Sequence, residues 1–172
     1  MWSLLSGIVG VLVGVCFNLL LDRKKSYIQS MVSPKISDFC EFKKIYGNFM
    51  SNCNKVVNEK KKENNISNAN KLLKKIEEQM FRLQLTIDSD FPEYNDLIKL
   101  LEKYAKEISN SPNSLDVDNY GNKLKYKVFV YIFFEKSLIG YQSKRLIRTK
   151  ISSRKINKYL ETAKKECEKA LN

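Results

Sequence analysis

A chain of 172 residues accommodates one domain of ordinary size together with an anchor. Its 31 Lys and Arg outnumber 19 Asp and Glu for a formal charge of +12, which favours anionic lipid head groups, nucleic acid or an acidic partner and says nothing about fold. Four cysteines (Cys16, Cys40, Cys53, Cys167) without CxxC spacing, and no histidine at all, argue against the usual zinc sites. Cys40, Cys53 and Cys167 lie among apolar neighbours and read as small buried hydrophobes in a reducing compartment.

Trp2 to Leu21 is a stretch of twenty residues without a charge. As a helix it is about 30 Å long, the hydrocarbon thickness of a bilayer. Every Lys and Arg of the chain lies at or beyond Arg23. The basic flank Arg23, Lys24 and Lys25 therefore predicts a single-pass orientation in the inner (plasma) membrane, with the N-terminus outside and the remainder cytoplasmic. A cleaved signal peptide needs a basic start, a shorter apolar region and a small-residue cleavage site, and the stretch has none of them. Ser6, Gly10 and Gly14 recur every four residues and form a small-residue strip on which two such helices can pack closely, so a homo-oligomer is expected. The competing reading is that glycine is simply common in membrane helices.

Ser33-Pro34 marks a break, since proline disfavours helix in the residue before it and suits the first turn of the helix after it. The spacing of Ile36, Phe39, Cys40, Tyr46, Phe49, Met50, Cys53, Val56 and Val57 then predicts an amphipathic helix to about Glu63. Ile66, Ala69, Leu73, Ile76, Met80, Leu83 and Ile87 step by three and four, a heptad seam that serves either a coiled coil or an antiparallel hairpin with the preceding helix. The short connection favours the hairpin. Asp88 to Glu93 stops that helix and starts another, whose buried face is Tyr94, Leu97, Ile98, Leu101, Tyr104, Ala105 and Ile108. Ser109 to Asn119 reads as a polar loop.

Val128 to Phe134 is rich enough in β-branched and aromatic residues to be a buried strand or a buried helix. With no second strand-like run to pair with it, Tyr120 to about Lys150 is expected to be helical. A last helix from Ser152-Ser153 buries Ile156, Tyr159, Leu160, Ala163, Cys167 and Leu171. The fold class expected is all-α, an N-terminal transmembrane helix followed by a cytosolic bundle of four to five helices. Its organisation is an anchor with its basic stop over 1–25, a juxtamembrane connector over 26–33 and the bundle over 34–172.

Catalytic chemistry has little to draw on. There is no histidine base, and Gly47, Gly121 and Gly140 are too isolated to form a phosphate-cradling loop, so no enzyme, cofactor or metal is expected. Asp88, Asp90, Asp116 and Asp118 read as turn and cap residues. The sharper feature is a run of cations from Lys136 to Lys158 with no acid among them. Within it Lys144, Arg145, Arg148, Lys150, Arg154, Lys155 and Lys158 are candidates for contact with an anionic surface, either a lipid leaflet or nucleic-acid phosphates, against the plainer reading of a solvated face.

Asp22-Arg23-Lys24-Lys25 after the span, Ile76-Glu77-Glu78-Gln79-Met80-Phe81-Arg82-Leu83-Gln84-Leu85, and Tyr94-Asn95-Asp96-Leu97-Ile98-Lys99-Leu100-Leu101 together resemble small bacterial and phage-encoded single-pass membrane proteins with a short helical cytosolic domain. Such proteins carry Asn-Pro after the leucine pair, where this chain has Thr86-Ile87. The resemblance implies the architecture and brings no function with it. On the residues, the expected function is a membrane-anchored interaction module that contacts the bilayer and an unknown protein partner. A membrane-active effector of a phage-defence or toxin system and a tethered nucleic-acid binder are the alternatives.

Overall fold

The computed structural model describes residues 2–61, 66–110, 115–144 and 151–171, and for residues 2–13, 61, 66, 67 and 171 it describes the backbone alone. Among the described residues the chain is all-α, with no strand. The elements are α1 (Trp2–Tyr27), a π-helical turn (Ile28–Val32), α2 (Ser33–Lys61), α3 (Ile66–Thr86), α4 (Tyr94–Asn110), α5 (Leu115–Ser143) and α6 (Ser153–Leu171).

α1, the π turn and α2 form one unbroken rod, so Ser33-Pro34 does not interrupt the helix as its sequence predicts. The residues flanking the π turn, Tyr27 and Ser33, keep right-handed helical dihedrals, and the Ser33 N–H donates to Ile28 O. Proline has no N–H to give and its ring crowds the carbonyl one turn back. A single wide turn just before Pro34 absorbs both defects without ending the helix. The expected 26–33 connector is accordingly helical, with Val32 buried.

Among the described residues no helix is long and apolar enough to cross a membrane. Of the expected span Trp2–Leu21, the side chains of residues 2–13 lie outside the described residues, and the described part from Gly14 reaches the charges of Asp22 to Lys25 within about two turns.

α2 and α3 pack as the hairpin, tied by Asn52 Nδ2 donating to Gln79 Oε1 at 3.0 Å and by the Arg82–Glu41 ion pair at 2.9 Å. α3 buries Ala69, Ile76 and Leu83 of its seam, and Ile87 is buried just beyond its end, while Leu73 and Met80 are half-buried at its rim. On α2 the buried stripe is Phe42, Ile45, Phe49, Cys53 and Val56. Ile36 and Cys40, expected inside, are exposed. Apolar residues cover more than half of this helix's circumference, and period alone does not choose which arc meets the partners.

α4 returns along the hairpin and buries Leu97, Leu101, Tyr104 and Ile108 as its spacing predicts. α5 starts at Leu115, earlier than expected, because Asp116 and Asp118 act as first-turn acids on the helix dipole and not as loop residues. Val128 to Phe134 lies wholly within α5 and is helical. Gly121 lets α4 and α5 approach: a Cβ there would stand 3.2 Å from Cε2 of the Tyr104 ring. Phe42, Phe91, Tyr131 and Phe134 form the aromatic centre, with Tyr131 edge-on to Phe42 at 4.7 Å and to Phe91 at 5.1 Å.

α6 closes the bundle, burying Leu160, Ala163 and Cys167 against α5. Its Lys164 reaches Glu93 at 3.0 Å, and Lys127 of α5 reaches the same carboxylate at 2.6 Å. Burial opposes ionisation of Glu93, but the bonds from Lys127 and Lys164 hold its carboxyl below the ordinary range. Burial also pushes the Cys53 thiol up to about 12, which keeps it inert.

Candidate membrane-facing end and a buried polar site

Two groups of residues stand out at the same end of the bundle. The first is basic. α2 leads away from the π turn, α3 returns, α4 leads away again, and α5 comes back to pack on the π turn before α6 leaves once more. The α5–α6 corner therefore lies at the end of the bundle where α1 enters. Glu135 of α5 shares a cavity with Lys35 of α2. From that level Lys144 has risen about 14 Å along α5, and Arg23 to Lys25 have risen about 15–18 Å along the α1 rod. Lys144 and the Arg23 to Lys25 group thus reach about the same height, although they lie far apart in the chain, while Lys155, which packs on Tyr141, and Lys158, a turn further along α6, stand lower at the same end.

At the start of α6, Arg154 and Lys158 are exposed and Lys155 is half-buried. The Lys155 ammonium sits 3.6 Å from the Tyr141 ring centroid, and Tyr141 in turn packs on Tyr159 at 5.8 Å. This cation–π contact orients one cation of the corner while leaving its neighbours to solvent. Arg145, Arg148 and Lys150 lie outside the described residues. Of the expected packing strip, the side chain of Ser6 and the surroundings of Gly10 also lie outside them, and Gly14 is exposed with nothing within 4 Å of where a Cβ would stand. Arg23 and Lys25 are exposed and Lys24 is half-buried.

The second group is a polar pocket just past the π turn. Its walls include Lys35 and Asp38 from α2, Asp88 from the α3–α4 connection, and Tyr131 and Glu135 from α5, around a cavity of about 280 Å³. Lys35 Nζ pairs with Asp88 Oδ2 at 2.6 Å, Asp88 Oδ1 accepts from the Asp90 N–H at 2.9 Å, and the Asp88 N–H donates to Tyr131 Oη at 3.1 Å. The turn that the sequence marks with Asp88 and Asp90 is therefore also a clamp between α2 and α5.

Glu135 is the unusual member. It is 3% exposed, the one buried charged residue among those described, and its Oε1 accepts no hydrogen bond there. Burial, and then the negative charges of Asp88 and Asp90, push its carboxyl up to about 7 against the partial pull of Lys35. Burial works to lower the Lys35 ammonium, yet its bond to Asp88 and the surrounding acids carry it above the ordinary range. Sequence reasoning overlooked both residues. The available signal was that Glu135 falls three and four residues from Leu138 and Tyr131, on the stripe that α5 buries.

An exposed apolar strip adjoins this pocket: Leu85 is 70% exposed, Phe81 60% and Ile36 44%. The geometry defines an all-α protein in which an N-terminal rod runs directly into a helical bundle. No protein-family model, no curated protein and no solved structure matches the chain.

Proposed function

We propose that this chain is a membrane-anchored helical interaction module of the kind its resemblance to small bacterial and phage single-pass proteins implies. Trp2–Leu21 crosses the inner membrane with the N-terminus outside, and α2 to α6 stand in the cytoplasm. Arg23, Lys24 and Lys25 mark the inner surface, and the corner carrying Lys144, Arg154, Lys155 and Lys158 faces the same anionic leaflet. The observation that supports this reading is the arrival of both basic groups at one end of the bundle, with Lys144 at about the height of Arg23 to Lys25, where an anionic surface would meet them together. The exposed Phe81 and Leu85 supply an apolar face for a protein partner.

Alkaline carbonate washing and protease treatment test the topology. The full chain is expected to remain in the membrane pellet, and protease added outside the cell is expected to spare α2 to α6. Release by carbonate, or digestion of the bundle from outside, defeats the reading.

Self-association belongs to the same proposal, since the open face at Gly14 leaves room for a second helix. In mild detergent the chain is expected to sediment as a dimer and the double variant Gly10→Ile/Gly14→Ile as a monomer. Identical sedimentation of the two removes the transmembrane dimer and leaves the topology standing.

A further inference from the structure

A larger cavity, of about 620 Å³, opens along the seam of α4 and α5 on the flank of the bundle. Lys127, its lining residue nearest to the α5–α6 corner along α5, stands about 25 Å from Lys144, so the groove is separate from the basic end. Two contacts set the register of its walls. A Cβ on Gly121 would stand 3.2 Å from the Tyr104 ring, and Lys127 Nζ lies 3.8 Å from Asp96 Oδ2. In antiparallel helices these place Lys103 opposite Lys123 and Lys99 opposite Lys127, at two levels about 6 Å apart.

The four ammonium groups share this cavity with a single carboxylate, that of Asp96. On each helix the two lysines are four residues apart, a spacing at which like charges repel and cost stability. Lys127 is engaged by Glu93 at 2.6 Å. Lys99, Lys103 and Lys123 are exposed and form no ion pair or hydrogen bond among the described residues. Between the cations, Leu100, Tyr120 and Tyr126 are half-buried against the core and give the cavity an apolar and aromatic floor.

The electrostatics choose the guest. Three unneutralised cations attract an anion, and their two levels favour one whose charge is spread along a short run of linked groups. Lysine is a compact point charge that suits phosphate. Tyrosine faces beside cations suit a planar base, which stacks on them. The volume falls in the range of about 300–1,000 Å³ typical of small-molecule sites. We propose that the α4–α5 groove binds a nucleoside polyphosphate, its phosphates held by Lys99, Lys103 and Lys123 and its base stacked on the tyrosine floor. The inference does not depend on the membrane reading.

Isothermal titration of the full chain in a nonionic detergent with EDTA, using ATP, inorganic triphosphate and adenosine in turn, tests it. ATP is expected to bind saturably, and about tenfold more tightly than either of its parts. Lys103→Glu/Lys123→Glu is expected to weaken ATP binding by about tenfold or more. Lys74→Glu/Lys75→Glu, which changes the net charge equally at exposed positions of α3, is expected to leave it unchanged. Tyr120→Leu/Tyr126→Leu lowers the affinity for ATP to that for triphosphate. If this variant does not fold, the native chain decides through its preference for ATP over triphosphate. No saturable ATP binding, equal affinity for ATP and triphosphate, or equal weakening by the two lysine pairs overturns the proposal. A single-stranded oligonucleotide that binds through Lys103 and Lys123 more tightly than ATP overturns it in favour of nucleic acid.

Discussion

Glu135→Gln melts higher than the native chain at pH 8 and close to it at pH 4.5. The carboxyl of Glu135 is raised from its ordinary 4.5 to about 7, chiefly by burial and secondarily by Asp88 and Asp90. A raised carboxyl means that the folded chain holds this proton more tightly than the unfolded chain does. Its contribution is therefore fully present below about pH 4.5, declines as the pH rises through about 7, and levels off above. Each pKa unit corresponds to about 1.4 kcal/mol, so the ionised side chain destabilises the fold at pH 8 by about 3 kcal/mol. Glutamine keeps the shape without the charge. Its expected gain at pH 8 is about 3 kcal/mol, or about 6–12 °C in melting temperature for a domain of this size. Thermal melts followed by circular dichroism in mild detergent at the two pH values check this. A gain of equal size at both means that the carboxylate charge is not the cause.

In nanodiscs of anionic lipid, Lys158 reacts with an aqueous amine reagent about tenfold more slowly than in zwitterionic lipid, while Lys74 and Lys75 react at the same rate in both. Lys144, Arg154, Lys155 and Lys158 lie where α5 turns into α6, at the end where the α1 rod enters, whereas Lys74 and Lys75 are exposed in the first half of α3, towards the opposite end. A cation close to an anionic leaflet gains about 1 kcal/mol, so four together gain about 4 kcal/mol and spend most of their time in contact. Raising the salt to about 1 M shortens the screening length to about 3 Å and restores labelling. The pair Lys144→Glu/Arg154→Glu restores it at low salt. Mass spectrometry reads each lysine separately. Equal protection of Lys74 and Lys158, or none at Lys158, places the corner away from the bilayer. Steep, salt-dependent retention of DNA or RNA by the same residues would then favour a nucleic-acid partner.

The helices differ in how openly their sequences declare them. α4 and α6 bury the centre of the stripe that their spacing nominates, Leu97, Leu101, Tyr104 and Ile108 in one and Leu160, Ala163 and Cys167 in the other, while Tyr94, Ile98, Ala105, Ile156 and Tyr159 are half-buried at its edges. The spacing of α2 misleads. With Ile36, Phe39, Phe42, Ile45, Tyr46, Phe49 and Met50 spread around it, only contact with α3, α4 and α5 selects Phe42, Ile45 and Phe49 for the interior and leaves Ile36 and Cys40 outside. The apolar density of Val128–Phe134 is equally good material for a strand, and the absence of a second such run is the deciding clue. At Pro34 the local rule predicts an end to the helix, and the π turn before it provides another solution.

Sequence by itself determined the all-α class, the acidic turn before α4, and the concentration of cations after Arg23 and again near the start of α6, and it favoured the hairpin of α2 and α3 over a coiled coil. These are properties of short windows, in which side-chain period, turn chemistry and charge act on near neighbours. Only the tertiary structure decided that the two basic groups share one end and that Lys35, Asp88 and Glu135 meet across the bundle, the first two joined over 53 residues of chain. Periodicity states which side of a helix faces inward. It carries no information about which residue of another helix stands opposite, and that encounter turns an ordinary glutamate into a buried acid with an unfilled bond.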